Sequence, residues 1–144
     1  MPLIRTSPVA LAVLFWCLST AAVAGELAYT CTVHHVYQLK ENGSLETSPD
    51  SEQEKQMRKN PFTISRETGA IVGKSSNLDT SLAKSTRVIR QGSAENSFEA
   101  VADFGDLQSG THPYRVIKVE AYRKWSEKPF VAMADMEIVT GICK

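Results

Sequence analysis

The sequence predicts an all-β domain: an antiparallel barrel or sandwich of about seven or eight strands with at most one short surface helix. Three observations predict it. Apolar and polar residues alternate along several stretches, the pattern of strands with one buried face. Gly, Asn and Pro punctuate those stretches at short intervals, which marks turns rather than long helical crossovers. Two cysteines, Cys31 and Cys143, lie in the first and last predicted strands, and a bridge between them suits a sheet that closes on itself.

The elements follow in order. In Glu26–Leu39, Leu27, Tyr29, Cys31, Val33, Tyr37 and Leu39 share one parity and Glu26, Thr30, Thr32, His34 and Gln38 the other. Asn42-Gly43 then fits a tight hairpin turn, since both residues tolerate positive φ. Asn42-Gly43-Ser44 also has the pattern of a glycosylation acceptor. The segment Ser48–Asn60 is strongly polar, with Met57 its one apolar residue. Pro49 suits a first helical position, Ser51 with Glu54 resembles a capping box, and acids lead while bases trail. A short surface helix or a loop both fit, because one Met anchors a helix poorly. Phe62–Arg66 and Ala70–Gly73 flank Glu67-Thr68-Gly69 as a hairpin, and Lys74–Lys84 is ambiguous. Thr86–Gln91 and Ser97–Phe104 read as strands, Gly105–Pro113 as a loop, and Tyr114–Trp125 as a long strand. Ser126–Pro129 turns the chain into a last strand, Phe130–Cys143, with Phe130, Ala132, Ala134, Met136, Ile138 and Ile142 in one phase.

The first twenty-four residues set the compartment. Arg5 is followed by the apolar run Val9–Leu18 and then by Ala22-Val23-Ala24, the layout of a cleaved secretory signal. The run is shorter than the roughly 20 residues of a permanent anchor. The expected organisation is therefore a signal over 1–24 and a single β domain over 25–144, exported to the periplasm or the exterior. Removing 24 of 144 residues leaves 120, enough for one domain with a real core. Cys17 leaves with the signal, unless it is lipid-modified, and Cys31 and Cys143 then read as one disulfide, with two free buried thiols as the alternative. Loss of Arg5 leaves 15 basic against 16 acidic residues. That balance argues against nucleic acid and against a polybasic membrane surface as main partner. No later segment is apolar and long enough to span a membrane.

Catalytic and metal-binding patterns are sparse. His34 and His35 are adjacent on a strand and point to opposite faces, so they do not grip one metal; His35 shares the apolar parity and reads as a core histidine. His112 is the one loop histidine and reads as solvated. No HExxH, CxxC or G-x-S-x-G pattern is present, and no glycine cluster cradles a phosphate. Asp135 and Glu137 would share one face of the last strand about 7 Å apart, a spacing that acid–base work on sugars can use and that ordinary solvent-facing acids also show. The expectation is no catalytic set, no metal and no cofactor.

The candidate binding surface is the strand Tyr114–Trp125. Tyr114, Lys118 and Tyr122 share one parity, and Arg123 and Trp125 the other. Aromatic groups beside basic ones on an exposed sheet can take up a glycan, an acidic peptide or a protein. The polar 48–60 segment is a second candidate contact.

Tyr29-Thr30-Cys31, Ser109-Gly110-Thr111-His112-Pro113-Tyr114 and Cys143 resemble the periplasmic inhibitors of C-type lysozymes. The resemblance implies a small barrel with one bridge and an inhibitory Ser-Gly loop followed by Tyr. It covers ten residues, and the Ser-Gly to Tyr spacing here is one residue longer than in that family. The reading of the whole is a non-catalytic exported domain that binds a protein, peptide or glycan partner in the cell envelope. Its alternatives are a barrel carrying a small apolar ligand, a lysozyme-inhibitor-like protein and a small hydrolase. A packed interior would hold Phe62, Phe98, Phe104, Phe130 and Trp125, whereas a cavity lined by Ala100, Ala102, Ala132 and Ala134 would favour the carrier.

Overall fold

Period-two segments joined by tight turns can bury their apolar faces only by pairing edge to edge and curling, and the chain does so. A computed structural model describes residues 27–47, 51–74, 77–105 and 113–144. The strands are β1 (Ala28–Leu39), β2 (Leu45–Thr47), β3 (Phe62–Ser65), β4 (Ile71–Val72), β5 (Ser85–Gln91), β6 (Phe98–Asp103), β7 (Tyr114–Val119), β8 (Lys128–Ala134) and β9 (Glu137–Cys143), with one helix, α1 (Glu52–Lys59), between β2 and β3. All strand pairs are antiparallel, and eight strands run in the order β4-β3-β1-β9-β8-β7-β6-β5, with β2 added on β1. The result is a single curled sheet, a half-barrel, rather than a sandwich. The expected signal over 1–24, with Cys17, and also Pro49 and His112 lie outside the described residues.

The first and last strands lie side by side in the middle of this sheet. Thr30 and Lys144 exchange both backbone hydrogen bonds, at 2.9 and 2.8 Å. The next pair along, Cys31 and Cys143, therefore falls at a non-hydrogen-bonded position, where antiparallel strands approach most closely. Their Cα atoms are 3.9 Å apart and the sulfurs are bonded. The bridge joins residues 112 apart in sequence, a loop for which the chain-entropy model gives a stabilisation of about 4–5 kcal/mol.

The seam between β4 and β5 is closed by packing instead of pairing. Thr80 takes the place of a strand partner for Ile71: its hydroxyl accepts from the Ile71 amide at 2.8 Å, and its own amide donates to the Ile71 carbonyl at 2.9 Å. Asp79 accepts from the Gly73 amide in the same way. At the other end of the seam the β3–β4 turn presses on β5 and β6. A Cβ added to Gly69 would lie 2.8 Å from the Ala100 Cβ, so Gly69 and Ala100 are small because the turn lies flat there. Leu78, two residues before Thr80, is fully buried in the core cluster.

The concave side holds the core. Tyr29 meets Phe98 edge to face, and Phe62 meets Phe130, both at 5.4 Å between ring centroids. Ile64, Ile117, Val119, Val139 and the alanines at 100, 132 and 134 complete one buried cluster. Met57 of α1 also joins this cluster, so one apolar side chain does anchor the helix. Ser51 caps α1 by accepting from the Glu54 amide at 3.1 Å. The Glu54 carboxylate is buried and is held by Arg58 one turn on. The expected capping-box residues are thus present, but Glu54 pairs forward along the helix.

Several sequence expectations are corrected here. The stretch Phe130–Cys143 is two strands, because Asp135 adopts φ +52° and reverses the chain between Ala134 and Glu137. The strand from Tyr114 ends at Val119, where the Ala121 amide turns back to the Val119 carbonyl. The single parity of β1 breaks at a bulge between Val33 and His35. That bulge lies opposite Gly141, whose absent Cβ would overlap the Thr32 carbonyl oxygen and crowd the Phe130 ring. Beyond it Val36 packs on the core, while His34 and His35 are both exposed. His35 is therefore not a core histidine. Phe104 is half-buried and Trp125 exposed, so neither completes the interior as expected of them.

Candidate binding surface

A β-strand shows its second face to water unless something covers it. Here the register lines up apolar residues on that outer face. Val101 of β6 pairs with Val116 of β7, Val116 with Met133 of β8, Met133 with Ile138 of β9, and Ile138 with Tyr37 of β1. The next row contains Lys118, Val131, Thr140 and His35. Leu39 and Leu45 pair beyond Tyr37. The apolar band crosses five strands, about 20 Å at the usual spacing between strands. Met133 is 52% exposed and Leu45 50%. Over β7, β8, β9, β1 and β2 the one ionic side chain on this band is Lys118, at its rim; Arg87, Arg90, Glu99 and Asp103 gather on β5 and β6 to one side.

The five residues expected to form one surface divide into two groups. Tyr114 and Lys118 stand on the outer face of β7, and Tyr114 lines a shallow groove with Arg87, Val101 and Asp103. Tyr122, Arg123 and Trp125 lie in the β7–β8 connection at one end of the sheet. Arg123 ties that group together, with its guanidinium 5.2 Å from the Tyr122 ring and 5.6 Å from the Trp125 ring. The Glu120 carboxylate accepts from Arg123 at 2.9 Å. That hydrogen bond holds Glu120 below the usual carboxylate range, although burial pushes the other way.

The apolar ladder was not singled out from the sequence. Its signal is present, though. Val116-Ile117, Val131-Ala132-Met133 and Ile138-Val139 are apolar in both parities, which is what a strand with two covered faces looks like.

The two ends of the sheet differ chemically. At the α1 end, clefts are lined by Glu46, Glu54, Glu137 and Asp135, with Arg115 the one cation. Glu137 accepts from Gln53 of α1 at 3.3 Å and from Asn77 of the β4–β5 loop at 2.8 Å. Arg115 donates to the Asp79 carbonyl and stacks on Phe104. Burial raises the Asp79 carboxyl, but hydrogen bonds from Ser81 and Gly73 and the Arg115 charge outweigh it, and the net shift is downward. At the opposite end a cleft is lined by Arg66, Lys128 and Lys144, with Ser93 and Ser126.

Among the described residues, neither Asp135 with Glu137 nor His34 with His35 assembles a reactive set. Asp135 occupies a hairpin turn and Glu137 begins the next strand, locked by two amides. Of the segment likened to the lysozyme inhibitors, Pro113 and Tyr114 are described and residues 109–112 lie outside the described residues. Among the described residues no group of three or more His, Cys, Asp or Glu is placed to hold a metal ion, and no helix is long and apolar enough to cross a membrane. No protein-family model, curated protein or solved structure matches the chain.

Proposed function

We propose that this chain is an exported, non-catalytic β domain that binds a protein partner in the cell envelope or outside the cell through the outer face of β6, β7, β8, β9 and β1. One observation carries the reading: the ladder Val101–Val116–Met133–Ile138–Tyr37 is contiguous and largely apolar on the outer face, with Val116 and Met133 exposed and Val101, Ile138 and Tyr37 half-buried. Bands of that kind on a folded monomer mark interaction sites more often than chance exposure does. A protein fits better than a glycan there, because the central rows offer few hydrogen-bonding groups. The secretory signal and the Cys31–Cys143 bridge support export. The carrier alternative has less support, since Ala100, Ala132 and Ala134 belong to the same buried cluster as Phe62, Phe98 and Phe130.

The test is affinity capture from envelope extract with the wild-type chain and with Met133→Lys. The variant adds a charge at the centre of the ladder and leaves the core untouched. A specific protein captured by the wild type and lost with Met133→Lys, at unchanged melting temperature, is the expected result. Equal capture by both would sink the outer-face reading.

A further inference from the structure

The end of the sheet opposite α1 carries two features that the outer-face reading does not use. The first is a cleft of about 280 Å³ into which Arg66, Lys128 and Lys144 face, with the hydroxyls of Ser93 and Ser126 beside them. No carboxylate side chain is among its lining residues. The second is the Tyr122–Arg123–Trp125 cluster, in which Trp125 is 64% exposed. The two are parts of one surface. Ser126 and Lys128 follow Trp125 in the same connection, and the Lys128 ammonium donates to the Arg123 carbonyl, which pins that connection to the rim of the cleft.

We propose that this end binds an acidic saccharide, with a sugar ring stacked on Trp125 and Tyr122 and its carboxylate held by Lys128 and Lys144, beside Arg66, which is stacked on the Tyr29 ring. The division of labour follows from the side chains. An exposed indole offers a flat apolar face to the C–H side of a sugar ring. Lysine ammonium and arginine guanidinium groups give a carboxylate charge-assisted hydrogen bonds, the strong kind. The serines supply neutral partners for ring hydroxyls. The cleft lies at the small end of ligand sites, which suits a sugar unit better than an extended peptide.

Among the described residues, Glu127 and Glu120 pair with cations of this end, and these pairings are weak enough to exchange. Glu127 contacts Lys144 at 3.1 Å with both side chains more than half exposed, and Glu120 contacts Arg123 at 2.9 Å at the surface. Exposed ion pairs of this type contribute little, so a ligand carboxylate that also gains ring stacking displaces Glu127 from Lys144.

The chain has two tryptophans, Trp16 and Trp125, so the fluorescence lost in Trp125→Phe isolates the signal of this connection. The probes are an oligogalacturonate, a neutral galactose oligomer of the same length, and vesicles of anionic phospholipid. The expected result is a change in Trp125 fluorescence with oligogalacturonate that weakens as salt is added. Lys128→Ala and Lys144→Ala each weaken that binding by about tenfold, the usual loss for a hydrogen bond to a charged group. Met133→Lys leaves it unchanged, which separates this site from the outer face. No Trp125 response to oligogalacturonate, equal binding of the neutral oligomer, or indifference to both lysine variants would each overturn the proposal. A response to the vesicles alone would overturn it in favour of a membrane surface.

Discussion

The two ends of the sheet are made from the same strands and are used in opposite ways. At the α1 end several carboxylates are held by the fold: buried Glu54 by Arg58, Asp79 by Gly73 and Ser81, and Glu137 by Gln53 and Asn77 nearer the surface. That end is a plug, in which polar side chains replace missing strand pairing. At the other end Lys144 meets Glu127 and Arg123 meets Glu120 in exposed ion pairs. The difference teaches that charge in a cleft is not enough to mark a ligand site. What matters is whether the charges are already committed to neighbours they cannot leave cheaply.

Several experiments break or sharpen this contrast. The largest effect is expected from replacing Cys31 and Cys143 together by Ala. Both are fully buried beside the base-lined end, and loss of such a bridge costs about 2–5 kcal/mol. Chemical denaturation should show that loss, and hydrogen exchange should show β1 and β9 opening first at Thr30 and Lys144. Uniform loosening at both ends would break the picture.

Leu78→Ala comes next. It removes a fully buried side chain two residues before Thr80, in the segment that follows β4, with an expected cost of about 2–5 kcal/mol. If denaturation midpoints barely move, the seam is not held by packing.

Glu137→Ala should cost about 1–2 kcal/mol, because it releases the amides of Gln53 and Asn77 together. Protection of α1 in hydrogen exchange should fall while that of β6 and β7 holds. Lys128→Ala, on the exposed end, should change stability by less than about 0.5 kcal/mol, and an equal loss from both substitutions would erase the distinction between the ends.

The smallest effect is a pH dependence. Asp79 has a folded pKa below its unfolded value. Its contribution is therefore present above the unfolded pKa, near 4, and disappears as pH falls through the lower folded value. Asp79→Asn should flatten the acid limb of the stability curve below about pH 4. An unchanged limb would show that Gly73 and Ser81 hold the carboxylic acid as well as the carboxylate.

Much of the scaffold was legible because it rests on local rules. Alternation placed β1, β6 and the flanks of β3–β4, and Ser51 with Glu54 placed the start of α1. What was missed depends on partners distant in sequence. Asp135 lacks the usual glycine of a hairpin, so nothing local divided β8 from β9. The bulge in β1 exists because Gly141, over a hundred residues away, leaves room for it. The grouping of the candidate surface was not legible: a straight strand through Trp125 put Tyr122, Arg123 and Trp125 beside Tyr114 and Lys118, whereas the turn after Val119 carries them to the end of the sheet.

The sequence by itself determined the class of fold and pointed to the pairing of Cys31 with Cys143, since these follow from side-chain period and composition. Only the tertiary structure decided which apolar residues stay in water, which charges are locked and where the sheet stops pairing. Those outcomes depend on register between strands, and register is a property of the assembled sheet rather than of any one segment.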